Sequence, residues 1–161
     1  MTDDRKIDID IINESGILPL HEETVRTILL KILTDADFRR GRMEIVVVDN
    51  PTIHKLNVQF LGHDYPTDVL SFEMDRDDGD GFLEGNVIVS DETARDRAAE
   101  FGWPAENELL LYIVHGTLHL VGYDDHSPED EPIMRAKEKE YLALAGIDVI
   151  AAPAQLGKKE E

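Results

Sequence analysis

Three histidines in the last third of the chain have the type and spacing of a metal site. They lie in His115-Gly-Thr-Leu-His119-Leu-Val-Gly122-Tyr-Asp-Asp-His126. On a helix, residues four apart sit about 40° apart around the axis and roughly 6 Å apart along it. His115 and His119 therefore share a face, and both rings can reach one ion at zinc–nitrogen distances of about 2.0–2.1 Å. His126 would stand roughly 10 Å beyond His119 if the helix simply continued. It can join only if the helix stops and the chain turns back. Gly122 is where that can happen, because glycine accepts the left-handed conformation that ends helices. The expected design is helix, stop, return and third ligand, holding one Zn2+ per chain. Three protein nitrogens leave a fourth position for water, the pattern of a catalytic zinc.

Other polar residues have plainer readings. His21 and His54 stand alone on expected helices and read as surface residues. Asp124 and Asp125 read first as solvation of the turn, and second as a partner to a ligand imidazole, a base or an alternative ligand. The acidic stretch Asp75, Asp77, Asp78 and Asp80 resembles a calcium loop in composition only. Counted from Asp75, the fifth position is Gly79 and the twelfth is Asn86, where that loop needs an oxygen ligand and a glutamate. A solvated hairpin turn fits better.

The elements that must position the histidines follow from periodicity. Ile7, Ile9 and Ile11 alternate with acidic residues, as in a strand with one buried face. Val25, Ile28, Leu29, Ile32 and Leu33 recur at helical spacing. Met43–Val48 reads as a buried strand. Asn50-Pro51 caps and starts a second helix, with Ile53, Leu56 and Phe60 inward. Val69–Phe72 and Asn86–Val89 are two further strands. Ser90-Asp91 caps a third helix that buries Ala94, Ala98 and Phe101 and stops at Gly102. Pro104 opens a strongly apolar fourth helix running to about Gly122. Ser127-Pro128 opens a fifth, with Asp130 in capping-box position, a stripe of Ile133, Ala136, Tyr141 and Leu144, and a stop at Gly146. From Ile147 a partly loose tail is expected, frayed over Gly157–Glu161. This pattern predicts one α+β domain over residues 1–161: a small mixed sheet of about four strands packed with about five helices, the metal site at the end of a long central helix.

Composition narrows the function. The 161 residues are 42% hydrophobic, enough for a packed core, and no apolar run approaches membrane length. The first residues lack the apolar stretch of a secretory signal. There is no cysteine, which excludes disulfides and thiolate ligands and agrees with a cytosolic protein. The net charge of −19 opposes loose binding to nucleic acid.

The segment His115–His126, with Pro66-Thr-Asp-Val-Leu-Ser-Phe72, Leu56-Asn57 and Glu84-Gly-Asn-Val-Ile-Val before it, resembles the YbeY family of bacterial rRNA maturation factors. The resemblance runs in order through nearly the whole chain. It implies a cytoplasmic, metal-dependent, single-strand-specific endoribonuclease acting in 3′-end processing of small-subunit rRNA and in ribosome quality control. It also implies zinc on three histidines matching His115, His119 and His126. Single-stranded rRNA and the small ribosomal subunit or its proteins are the implied partners, with no membrane and no DNA. The chain departs from the pattern in three places. Six residues, not the usual five, separate His119 from His126. Leu61 stands where the family has an arginine thought to aid cleavage, and His63 stands at or near a usual lysine. Asn86 follows the strand glycine where an aspartate is typical. The catalytic group is thus left open, with His63, Asp124 and Asp125 as candidates. RNA binding is expected to be weak, salt-sensitive and dependent on the metal or a ribosomal partner.

Two other readings compete. A metalloprotease of metzincin type would also carry His-x-x-x-His before a helix-ending glycine. Its general-base glutamate, however, would stand where this chain has Gly116. The other reading is a non-enzymatic ribosome assembly factor with a structural zinc.

Overall fold

Isoleucine alternating with aspartate makes the first strand. In the computed structural model, which describes residues 6–65 and 67–149, β1 spans Lys6–Asn13, with Ile9 buried and Asp8 exposed. Strands β2 (Arg40–Val48), β3 (Val69–Asp77) and β4 (Phe82–Ser90) complete one sheet in the order β1-β2-β4-β3. The β1/β2 and β2/β4 pairs are parallel, and β3 runs antiparallel to β4 along the edge. Helices α1 (Glu22–Asp35), α2 (Asn50–Leu61), α3 (Asp91–Phe101), α4 (Ala105–Val121) and α5 (Asp130–Leu142) pack around it. This is the α+β architecture that the periodicity predicts.

The larger core lies on one face of the sheet. Met43, Ile45 and Val47 of β2 and Leu83, Val87 and Val89 of β4 meet the apolar stripe of α1 and nearly the whole of α4. All five apolar positions expected on α1 are buried. A smaller cluster of Val48, Ile53 and Leu70 lies under α2. Among the described residues no helix is long and apolar enough to cross a membrane.

Helix α4 is buried without interruption from Glu108 to Leu118, as befits a central helix apolar on all sides. It lies close on the sheet because two glycines give it room. A Cβ on Gly116 would come within 2.7 Å of Val87, 2.8 Å of Ser71 Oγ and 2.9 Å of Val69. A Cβ on Gly85 would come within 2.9 Å of Leu120. The Ser71 hydroxyl donates to the Gly116 carbonyl at 2.9 Å, pinning β3 to the helix. The helix ends where expected: Gly122 has φ 117°, and its N–H turns back to the carbonyls of Leu118 and His119.

Several boundaries and faces differ from expectation. Asp49, one residue early, caps α2 by accepting from the Thr52 N–H at 3.0 Å. The helix buries Ile53 and Asn57 and leaves Phe60 58% exposed, because it crosses only the margin of the sheet. Strands β3 and β4 run on into the acidic stretch, since their ladder pairs Asp75, Arg76 and Asp77 opposite Glu84, Leu83 and Phe82. Phe101 of α3 is only half-buried. Helix α5 begins at Asp130, after a turn in which Ser127 Oγ accepts from the Asp130 N–H at 3.0 Å. It buries Met134, Glu138, Tyr141 and Leu142, while Ile133, Ala136 and Leu144 of the expected stripe are exposed. Gly146 ends the last helical turn among the described residues in the left-handed conformation. From Ile150 onward the tail lies outside the described residues.

Candidate metal centre

The last two turns of α4 bring His115 and His119 together, as their spacing requires. His115 is buried and His119 partly exposed, with their Nε2 atoms 3.0 Å apart. The turn after Gly122 returns a third group to the pair, and that group is Asp125. Its Oδ1 lies 3.5 Å from His119 Nε2, and its Oδ2 lies 3.7 Å from His115 Nε2. Donors around a tetrahedral zinc, with bonds of about 2.0–2.1 Å, stand about 3.3 Å apart. The separations of 3.0, 3.5 and 3.7 Å bracket that value. Two nitrogens and a carboxylate are a fitting donor set for a divalent cation.

Helix α5 lies behind the donors and orients them. Glu138, fully buried, takes His115 Nδ1 at 2.6 Å through Oε2. An N–H on Nδ1 donating to this carboxylate leaves the Nε2 lone pair facing His119 and Asp125. Arg135 sits one turn earlier on the same helix. It reaches Asp125 Oδ2 at 3.1 Å with Nη2 and Glu138 Oε1 at 3.2 Å with Nη1. Burial pushes the Asp125 carboxyl up, but the hydrogen bond from His119 and the charges of His115, His119 and Arg135 outweigh it. The result is a carboxyl held down at about 2, ionised throughout the neutral range.

The remaining candidates fall outside this cluster. His126 is the residue after Asp125, and its side chain is 68% exposed. Its Nδ1 pairs with Asp124 Oδ1 at 2.6 Å, and its ring centre lies 6.3 Å from that of His119. Asp124, Asp125 and His126 also gather ligand atoms within 4.8 Å of one another, but on the exposed side of the turn. His63 stacks on Tyr65, with ring centres 5.5 Å apart and Nδ1 3.3 Å from the phenol oxygen. Leu61, the last residue of α2, is 48% exposed. His21 is exposed, and His54 pairs with Asp64 at 2.8 Å.

Sequence reasoning missed Glu138 and Arg135. The signal was present: Met134, Glu138 and Tyr141 recur at helical spacing, with a carboxylate in an otherwise apolar stripe. A buried charge needs a partner, and His115 is that partner. The structure also explains the glycine between the histidines. Gly116 is pressed against Val69, Ser71 and Val87, so the general-base glutamate of a metzincin has no room there.

Comparison with known proteins agrees with this fold. A family model described as Endoribonuclease YbeY matches residues 6–146. An Endoribonuclease YbeY of Rhodopirellula baltica is 46% identical over 112 residues, covering 68% of this chain and 57% of that protein. One of Bacillus licheniformis is 36% identical over 154 residues, covering 86% and 95%. The solution structure of TM1509 from Thermotoga maritima matches with a TM-score of 0.57 and 30% identity, covering 83% of this chain and 86% of that one. With five residues intervening after His119, as in the family pattern, the next position is Asp125.

Proposed function

This chain belongs to the endoribonuclease YbeY family, and from that premise we propose that it is a metal-dependent endoribonuclease of the cytoplasm. Its substrate is single-stranded rRNA, in particular the 3′ end of the small-subunit rRNA, and it works in contact with the small ribosomal subunit or its proteins. Residues 1–161 act as one domain. The observation that carries the reading is the convergence of His115, His119 and Asp125 at the end of α4.

His115 Nε2, His119 Nε2 and an Asp125 oxygen would hold one divalent cation, taken as Zn2+. When bound, such an ion polarises a phosphoryl oxygen and lowers the pKa of its water to about 7. The chain's own part is to present and orient the donors. Glu138 keeps the His115 proton on Nδ1, away from the ion. His119 and the turn after Gly122 face the outside, where an RNA strand can approach. His126, paired with Asp124 at the rim, stands where the strand would pass.

Purified protein should cut a single-stranded rRNA fragment, chelation should stop the cut, and added Zn2+ should restore it. His115→Ala should abolish cleavage while leaving the circular dichroism spectrum in place. Leu61 at the family's arginine position favours one second reading, a ribosome assembly factor that binds without cutting. Wild type and His115→Ala both inert on RNA, yet both bound to small subunits, would replace the first reading with the second.

A further inference from the structure

The turn after α4 offers two neighbouring groups as third donor, Asp125 and His126, and something must choose between them. The two side chains point apart, and only one of them faces the histidine pair. Asp125 faces it, with a side chain 9% exposed, and His126 faces solvent. The carboxylate is drawn inward by Arg135, whose guanidinium spans Asp125 Oδ2 at 3.1 Å and Glu138 Oε1 at 3.2 Å. Glu138 is itself fixed by His115 at 2.6 Å, and both it and His115 are buried. The chain of contacts His115–Glu138–Arg135–Asp125 therefore runs from the first donor to the third entirely through α5.

We propose that Arg135 is a positioning residue that selects Asp125 as the third metal donor and so keeps His126 outside the donor set. The proposal rests on the metal-site reading above and goes beyond it. A charge-assisted pair in this half-sheltered place is stronger than an exposed one, and a planar guanidinium is suited to bridging two carboxylates. Without it, Asp125 is free to turn toward water. The turn after Gly122 can then rotate by one residue and put His126 beside His119. The chain would change from a two-histidine, one-carboxylate site to a three-histidine site.

The test counts imidazoles on the ion. Full-length protein with 15N-labelled histidine, freed of metal, is titrated with Zn2+ alone and followed through its imidazole nitrogens. In wild type, the Nε2 signals of His115 and His119 should shift and those of His126 should not. In Arg135→Met, a third histidine, His126, should join them at the same one-to-one stoichiometry. Asp125→Asn, which keeps the side chain's shape, should also bring His126 in, and it serves if Arg135→Met does not fold. Simple destabilisation would not change which histidines bind. His126 shifting in wild type, or staying silent in folded Arg135→Met, overturns the selection by Arg135; if Arg135→Met does not fold, His126 staying silent in Asp125→Asn overturns it. No histidine shifting in wild type overturns the metal reading itself, and the proposal with it.

Discussion

At the scale of single residues, the centre depends on where protons sit. His115 can give its Nε2 lone pair to a cation only while Nδ1 keeps its hydrogen. Glu138 enforces this from a fully buried position 2.6 Å away. A glutamine at 138 preserves the volume but replaces the charged acceptor with an amide that can also present N–H groups to the ring. Changing such an outer partner of a metal ligand typically costs about 10–100-fold in affinity. Glu138→Gln is therefore expected to weaken Zn2+ binding by that range, measured by competition with a chromophoric chelator. An affinity equal to wild type would remove Glu138 from the orienting role. The two α4 histidines were legible in the sequence because four-residue spacing has one geometric meaning on a helix. The third member of the cluster was less legible. Asp125 and His126 are adjacent, and spacing alone cannot say which faces inward after a glycine with φ 117°. The sequence reading favoured His126 by its type, although five intervening residues, as in the family pattern, end at position 125.

At the scale of elements, function is written where a local pattern breaks. The stripe read on α5 was misplaced because the buried face carries Glu138 and half-buries Arg135, so its apolar residues did not trace it. Helix α1, with no site to serve, was read without error. The same logic applies to Gly116, a poor helix residue in the middle of α4. Its worth lies in the close approach of α4 to the sheet. Gly116→Ala gains about 1 kcal/mol in helix propensity. Overpacking against Val87, Ser71 and Val69, at 2.7–2.9 Å, costs about 1–3 kcal/mol. Both valines are β-branched and stiff at χ1, so they yield poorly. The expected net result is a loss of up to about 2 kcal/mol, read as a lower urea midpoint with unchanged slope. A midpoint above wild type would mean that the helix moves freely away from the strands.

For the whole molecule, the question is how a chain of net charge −19 holds a polyanion. Composition alone predicts weak binding, and the structure indicates how weak the sequence-independent part should be. Among the described residues, most arginines are already engaged with acids, among them Arg42 with Asp10, Arg76 with Glu73 and Asp78, Arg97 with Asp68, and Arg135 with Asp125 and Glu138. An arginine that must leave a carboxylate to meet a phosphate gains little. Few phosphates are then neutralised by protein charge, on the order of one or two, so the salt sensitivity expected from the sequence is revised to a shallow dependence of log affinity on log salt. Between 50 and 200 mM salt, affinity for single-stranded RNA is expected to fall by no more than about tenfold, whereas a protein with six or more phosphate contacts loses about 10³-fold or more. The remaining attraction would come from the bound cation. Chelation should therefore weaken binding more than the rise in salt does, and His115→Ala should mimic chelation. Fluorescence anisotropy with a labelled RNA oligonucleotide, with and without chelator across that salt range, measures both slopes at once. A steep salt slope that persists after chelation would mean that the RNA is held by a basic surface, and that the acidic turn around Asp124 lies away from its path.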